Sequence, residues 1–310
     1  MSFISTQMSR HLGAAGRLAE DRDRAVTIRS SSTAAFMIDS VDRDQTAYPS
    51  SASFTINKNQ NLFNGFFTRI ALQEIVLDWG IPNVFNNAVA DTASFTVEYV
   101  IAPAPPVSVT VILKDGFYTA EQVLDSLVAA LNTAIGTPGL FVITVDTTTG
   151  HVSMDITGAG NTFEIMNTDL AYEIFTEKQV ESGQNASYRI VCPRILPYRY
   201  LDFISPSLTY NQDLKDNDTS ENSKDVIYRW YLAWDTPPAV DGYGFPIYQG
   251  YTPFIQRRLI AFPKQILWNP AQPMGQLKFE VYDESDRLVD PLEFDAAEME
   301  FQMTLLVSEN

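Results

Sequence analysis

Side chains able to do catalytic or metal chemistry are scarce in this chain. Its 310 residues include two histidines, His11 and His151, and one cysteine, Cys192. Histidine titrates near neutral pH and is the commonest metal ligand, so this pair leaves little room for a His-based base or metal centre. A single cysteine excludes an intramolecular disulfide framework and a cysteine zinc cluster. Cys192 precedes Pro193 in the strand-like run Tyr188–Cys192 and reads as a buried, inert thiol. His151 follows Gly150 on a polar face with Ser153 and Asp155 and reads as an exposed hairpin residue. Gly158-Ala-Gly160 lacks the third glycine of a dinucleotide loop, and neither a P-loop nor a G-x-S-x-G elbow is present.

Carboxylates are abundant, and two clusters stand out. Asp213, Asp216, Asp218, Glu221 and Asp225 alternate with Lys215 and Lys224. With Asp216 as position one of a calcium loop, Glu221 stands where the obligatory glycine belongs, so a solvated polar loop is expected. The second cluster is Asp283, Glu284, Asp286, Asp290, Glu293 and Asp295, and it reads as a water-facing connection between two strands. A glycosidase needs two carboxylates, but nothing selects a pair among the 38 acids. The expectation is a protein that is not an enzyme, with no metal, no cofactor and no small-molecule substrate.

The net charge of −17 is unevenly placed. Residues 1–30 carry Arg10, Arg17, Arg22, Arg24 and Arg29 against three acids, a net of +2. The remaining 280 residues carry 16 basic and 35 acidic side chains, a net of −19. Such asymmetry suggests an N-terminal arm with a partner of its own, and the five arginines are its candidate contacts. Tyr198-Arg199-Tyr200 and Tyr228-Arg229-Trp230-Tyr231 interleave basic and aromatic residues as single-strand binders do. An acidic body repels a phosphate backbone, so direct nucleic-acid contact is not expected, and a protein partner is favoured for the arm. No signal peptide and no membrane span is read from the sequence.

The elements that would position these residues are mostly strands. Apolar residues alternate with polar ones in 52–57, 93–100, 107–113, 141–145, 152–156, 226–234, 277–281 and 297–308, the period of a sheet with one wet face. Thr147-Thr-Thr-Gly150 joins two of them as a hairpin. Thr119-Ala-Glu-Gln122 is a capping box that opens a helix ending at Gly136, and a second short helix is predicted over 169–175. Ten or eleven strands with one or two helices suit an all-β protein, an antiparallel jelly-roll-type sandwich. The expected organisation is an extended arm over 1–33 and a single jelly-roll domain over 34–310, with a helical insertion near 119–136. Trp79, Tyr243, Phe245, Tyr248, Tyr251, Phe254 and Trp268 fall in or near connections and are candidate interface anchors.

Four passages, in order, carry a resemblance to a family. They are Phe36-Met-Ile-Asp-Ser-Val-Asp-Arg43 with Ser53-Phe-Thr-Ile56; the run Ile70 to Val84 with Asn86-Asn87; Leu113-Lys-Asp-Gly-Phe-Tyr-Thr119; and Leu277 to Glu284 with Phe301 and Glu309. Together they resemble the single jelly-roll minor capsid and penton proteins of large icosahedral double-stranded DNA viruses and their virophage and polinton-like relatives. The resemblance implies a structural virion protein made in the host cytoplasm, a pentameric vertex unit or else a minor protein cementing major capsomers. Its implied partners are further copies of itself and the major capsid protein. From a different class, a carbohydrate-binding or carbohydrate-cleaving β-sandwich is the alternative.

Overall fold

The computed structural model describes residues 33–57, 68–86, 91–175, 185–191, 193–209, 226–233, 239–267, 275–294 and 298–308. The chain opens with β1 (Thr33–Asp39), β2 (Ser53–Asn57) and β3 (Arg69–Trp79). A long insertion follows: β4 (Ser94–Val100), β5 (Val107–Ile112), α1 (Ala120–Ile135), β6 (Phe141–Val145), β7 (Val152–Ile156), β8 (Thr162–Ile165), α2 (Asp169–Ile174) and β9 (Ser187–Ile190). The chain then returns through β10 (Tyr200–Ile204), the single turn α3 (Pro206–Thr209), β11 (Val226–Tyr231), β12 (Phe254–Leu259), β13 (Gln265–Leu267), β14 (Gln276–Tyr282) and β15 (Met299–Ser308).

Two four-stranded layers, in the orders β1-β15-β3-β12 and β11-β10-β14-β2, form the sandwich, and all their pairings are antiparallel. β13 continues the line of β12 along the first half of β3. Counted consecutively without the insertion, and with β12 and β13 as one, these are eight strands. The first pairs the eighth, the second the seventh, the third the sixth and the fourth the fifth. That is one long antiparallel ribbon, rolled so that β15 meets β3 and β14 meets β10. It is the eight-stranded jelly roll, the all-β antiparallel class expected from the sequence.

The last strand explains the layer between the sheets. β15 alternates buried and half-buried residues without a break, and Met299, Phe301, Met303, Leu305 and Val307 all face the core. Phe301 contacts Phe54 from β2 (5.7 Å between ring centroids) and Phe203 from β10 (5.1 Å, edge to face). β3 keeps its apolar residues inward by shifting phase. The pairing of β15 skips Gln73, so Ile70 and Leu72 point in before it and Ile75, Leu77 and Trp79 after it. Arg43, almost wholly buried, fastens the β1–β2 connection to this sheet. It donates to Ser40 O (2.7 Å), Tyr48 O (3.1 Å) and Glu300 Oε1 (2.8 Å).

Fifteen strands stand among the described residues, against the ten or eleven expected. The helical insertion expected near 119–136 is part of a longer excursion between β3 and β10. That excursion forms two further sheets, β5-β4-β8 and β6-β7-β9, and its buried residues make a second apolar cluster, separate from that of the sandwich. The capping box of α1 is complete. Gln122 N donates to Thr119 Oγ1 (3.3 Å) and Thr119 N to Gln122 Oε1 (2.9 Å). Gly136 ends the helix at φ +73°, a left-handed conformation that glycine adopts without strain.

Phe301→Ala is expected to lower unfolding stability by about 3–5 kcal/mol, because the void lies against the rings of Phe54 and Phe203. Thr304→Ala, on the opposite face of the same strand, should change it by no more than about 0.5 kcal/mol. Urea denaturation of the two variants checks this; equal losses would show that β15 does not present one core face.

Candidate assembly surfaces

The candidate contacts Arg10, Arg17, Arg22, Arg24 and Arg29 lie outside the described residues, as do Cys192, Trp268, Asp295 and the whole 213–225 acidic cluster. The described chain begins at Thr33, in one row with Ser308 and Arg69. The insertion leaves from Trp79, at the other end of β3. The arm therefore joins the sandwich at the end opposite the insertion.

At the insertion's end, two connections of the sandwich hold it. Asp241, between β11 and β12, accepts from Glu121 N at the start of α1 (2.9 Å), and from Tyr243 N (3.0 Å) and Phe245 N (2.9 Å). Glu121 accepts in return from Gly242 N (2.7 Å), and the Tyr243 hydroxyl donates to Asp125 (2.6 Å). A carboxylate at a helix start is favoured by the backbone N–H groups exposed there. Burial, with the Asp125 bond, pushes the Tyr243 hydroxyl well above the usual tyrosine range. Asn83 closes the neck. It is fully buried, donates to Tyr118 O (2.9 Å) and Ile195 O (2.8 Å), and accepts from Tyr118 N (2.9 Å). Where β3 leaves the sheet, Gly80 N donates to Glu298 O (2.7 Å), and a Cβ at Gly80 would sit 2.8 Å from that oxygen.

The second acidic cluster is only partly the water-facing connection expected. Asp283 is buried. It accepts from Ser285 N and Arg287 N (both 2.8 Å) and pairs with the Arg287 guanidinium (3.0 Å). Asp290 caps a single 3-10 turn, and Glu284 accepts from Arg199 N (3.1 Å). These acids shape a turn because a short connection must satisfy its own backbone N–H groups.

Beside that turn lies a cleft of about 280 Å³ between sandwich and insertion. Phe85, Tyr172, Tyr198 and Phe294 wall it, and Asp169, Glu173, Asp283 and Glu293 line it with Arg287. Burial raises the Glu173 carboxyl to about 7 against the pull of Arg199 and Arg194, with Glu284 and Asp169 adding to the rise. Burial, with Asp283 nearby, likewise holds the Tyr198 hydroxyl well above its ordinary range.

The basic–aromatic runs are partly engaged within the protein, with Arg199 and Tyr231 left exposed. Arg229 forms a two-pronged pair with Asp202 (2.6 and 2.7 Å) and stacks on Tyr200 at 3.9 Å, while Trp230 is fully buried. Several expected interface anchors are core residues instead. Trp79 belongs to the sandwich cluster, and Phe245 and Tyr251 to the insertion's. They sit in or beside connections, yet those connections pack inward. His151 is exposed at the start of β7, as expected.

Exposed apolar side chains among the described residues include four along the edge strand β12, its continuation β13 and the connection between them. Ile255 is 73% exposed, Leu259 69%, Phe262 95% and Leu267 60%. Their alternate neighbours point inward: Arg258 stacks over the buried Trp230 at 4.1 Å, and Gln256 bonds Gln249. The strand thus turns Gln256 and Arg258 in beside Phe254, and Ile255 and Leu259 out on either side of Arg257, which pairs with Glu74. Sequence alternation alone does not reveal this, because the period is the same for either assignment. Among the described residues, no helix is long and apolar enough to cross a membrane, and no group of three or more metal-binding side chains is arranged around one point.

No protein-family profile matches the sequence, and no curated protein sequence matches it. Among solved structures, the chain is similar to the mavirus penton protein over 90% of its own length and 99% of the other chain, at 10% identity and a TM-score of 0.48. It is also similar to a chain in the cryo-EM structure of the Sputnik virophage, over 89% and 98% of the two chains, at 10% identity and a TM-score of 0.42.

Asp241→Ala removes one acceptor shared by three backbone N–H groups. It is expected to speed hydrogen exchange at Glu121, Tyr243 and Phe245 by at least tenfold while leaving β15 protected. Exchange rates unchanged at all three amides would mean that Asp241 does not hold the insertion's helix to the sandwich.

Proposed function

We propose that this chain is a structural virion protein that builds an icosahedral capsid as a pentameric vertex unit, and that it is not an enzyme. The jelly roll serves capsid proteins, lectin domains and cupins alike, so the fold alone does not choose among them. The observation that carries the reading is the set of exposed apolar side chains Ile255, Leu259, Phe262 and Leu267 along one sheet edge and its connection, interrupted by Arg257. Single exposed apolar residues are ordinary, but a row of them along a sheet edge invites a partner. Further copies of this chain, with the major capsid protein around them, are the partners proposed. The host cytoplasm is the proposed place of synthesis and the virion the destination.

The arm fits the same reading. Its arginines, Arg10, Arg17, Arg22, Arg24 and Arg29, are proposed to contact protein rather than genome, since the acidic body disfavours a phosphate backbone. The aromatic walls and carboxylates of the cleft favour one rival, a carbohydrate-binding or carbohydrate-cleaving sandwich. A glycan-array screen and a hydrolase assay, both without signal, would remove it.

Native mass spectrometry at neutral pH tests the vertex role. Five copies of the 34.7 kDa chain are expected in one assembly. The double variant Leu259→Asp, Phe262→Asp should shift it toward monomer with little change in thermal midpoint, because both side chains face solvent in the single chain. A stable wild-type monomer would contradict the vertex role and favour a protein that cements major capsomers. A pentamer indifferent to the double variant would move the interface away from this edge.

A further inference from the structure

We propose that the cleft between sandwich and insertion receives the Arg10–Arg17 stretch of the N-terminal arm. Three observations lead there. The cleft combines flat aromatic walls, Tyr172, Tyr198, Phe85 and Phe294, with the carboxylates Asp169, Glu173 and Glu293, and its one cation among the described residues, Arg287, is paired with Asp283 (3.0 Å). A guanidinium both stacks on aromatic faces and pairs with carboxylates, so arginine suits such a lining better than lysine does. The arm carries a net charge of +2, against −19 for the rest of the chain.

Chain length then chooses among the five arginines. Thr33 lies in the row of Arg69, and the cleft lies at the Trp79 end, where Tyr198 packs edge-on against Trp79. Ten steps along β3 cover about 33 Å. An extended chain advances at most about 3.6 Å per residue. Arg29, four residues before Thr33, therefore reaches no more than about 14 Å and falls short, and Arg24, nine residues before it, gets its backbone to about 32 Å and needs full stretch of chain and side chain. Arg22 arrives only at full stretch, at about 40 Å. Arg17 and Arg10 reach about 58 and 83 Å, leaving slack for a path around the sandwich.

The chemistry also sets a pH dependence. Glu173 faces Arg199, Arg194, Asp169 and Glu284, and burial keeps its proton on to about pH 7. An arriving guanidinium favours the carboxylate, so docking releases that proton. Docking is then weaker at pH 6, where Glu173 must first ionise, and stronger at pH 8.

Photo-crosslinking of the full chain reads this directly. Tyr172 stands on the cleft and is 45% exposed, so a benzophenone amino acid placed there (Tyr172→p-benzoylphenylalanine) samples the occupant. The expected crosslinks fall on residues around Arg10 and Arg17. They should fall at least tenfold in Arg10→Ala, Arg17→Ala, persist in Arg24→Ala, Arg29→Ala, and increase from pH 6 to pH 8 in the wild type but not in Glu173→Gln. All the variants except Glu173→Gln and the probe itself lie in the arm, so loss of fold does not account for a changed yield. Crosslinks confined to the cleft's own walls, or a yield indifferent to Arg10 and Arg17, would overturn the proposal. So would capture of a saccharide in place of the arm.

Discussion

The rolled ribbon depends on one constraint: the last ten described residues must lie in the middle of a sheet. β15 runs between β1 and β3, so the chain's final strand supplies backbone partners to both and five side chains to the core. An interior strand with one buried face tolerates no slip of register, because a shift of one residue would turn Met299, Phe301, Met303, Leu305 and Val307 to water. The Arg43–Glu300 pair and the Ser40 bond to the same carboxylate add a polar lock at the start of this strand. Once β15 is placed, the two sheets and the ends at which their connections emerge are determined.

Function follows from those ends. The third-to-fourth connection of the ribbon carries the insertion, and its neighbours at the same end, the β11–β12 and β14–β15 connections, hold it through Asp241 and through Phe294 against Phe85. The opposite end carries Thr33 and Ser308. Between those ends, the edge formed by β12, β13 and their connection presents Ile255, Leu259, Phe262 and Leu267 on one side.

Much of this was legible in the residues. The α1 capping box, the 141–156 hairpin and the alternation of β15 each follow from local rules, and the structure has all three. The passages that carried the family resemblance prove to be the places where structure is pinned: Arg43, the neck around Asn83, the approach to the Thr119 cap and the Asp283 turn. Other features were not legible, for physical reasons. β10 is buried on both faces along most of its length, so it shows no alternation. The phase of β3 reverses at Gln73, which blurs its period. β12 has a clear period but carries Gln256 and Arg258 on its inner face, because Trp230 and Gln249 offer partners to Arg258 and Gln256 inside. The aromatic-rich connection at 239–251 read as an interface, whereas Phe245 and Tyr251 complete the insertion's core. That last error has one source: a sequence tells which residues seek burial, but not whether a neighbouring element or another molecule will cover them.

The vertex reading is most directly decided by where this chain sits in an assembled particle. A cryo-EM reconstruction of the virion should place five copies around each fivefold axis, with the Ile255–Leu267 edge turned toward the adjacent copy. Density for this chain away from the fivefold axes, or its absence from the particle, would contradict the account.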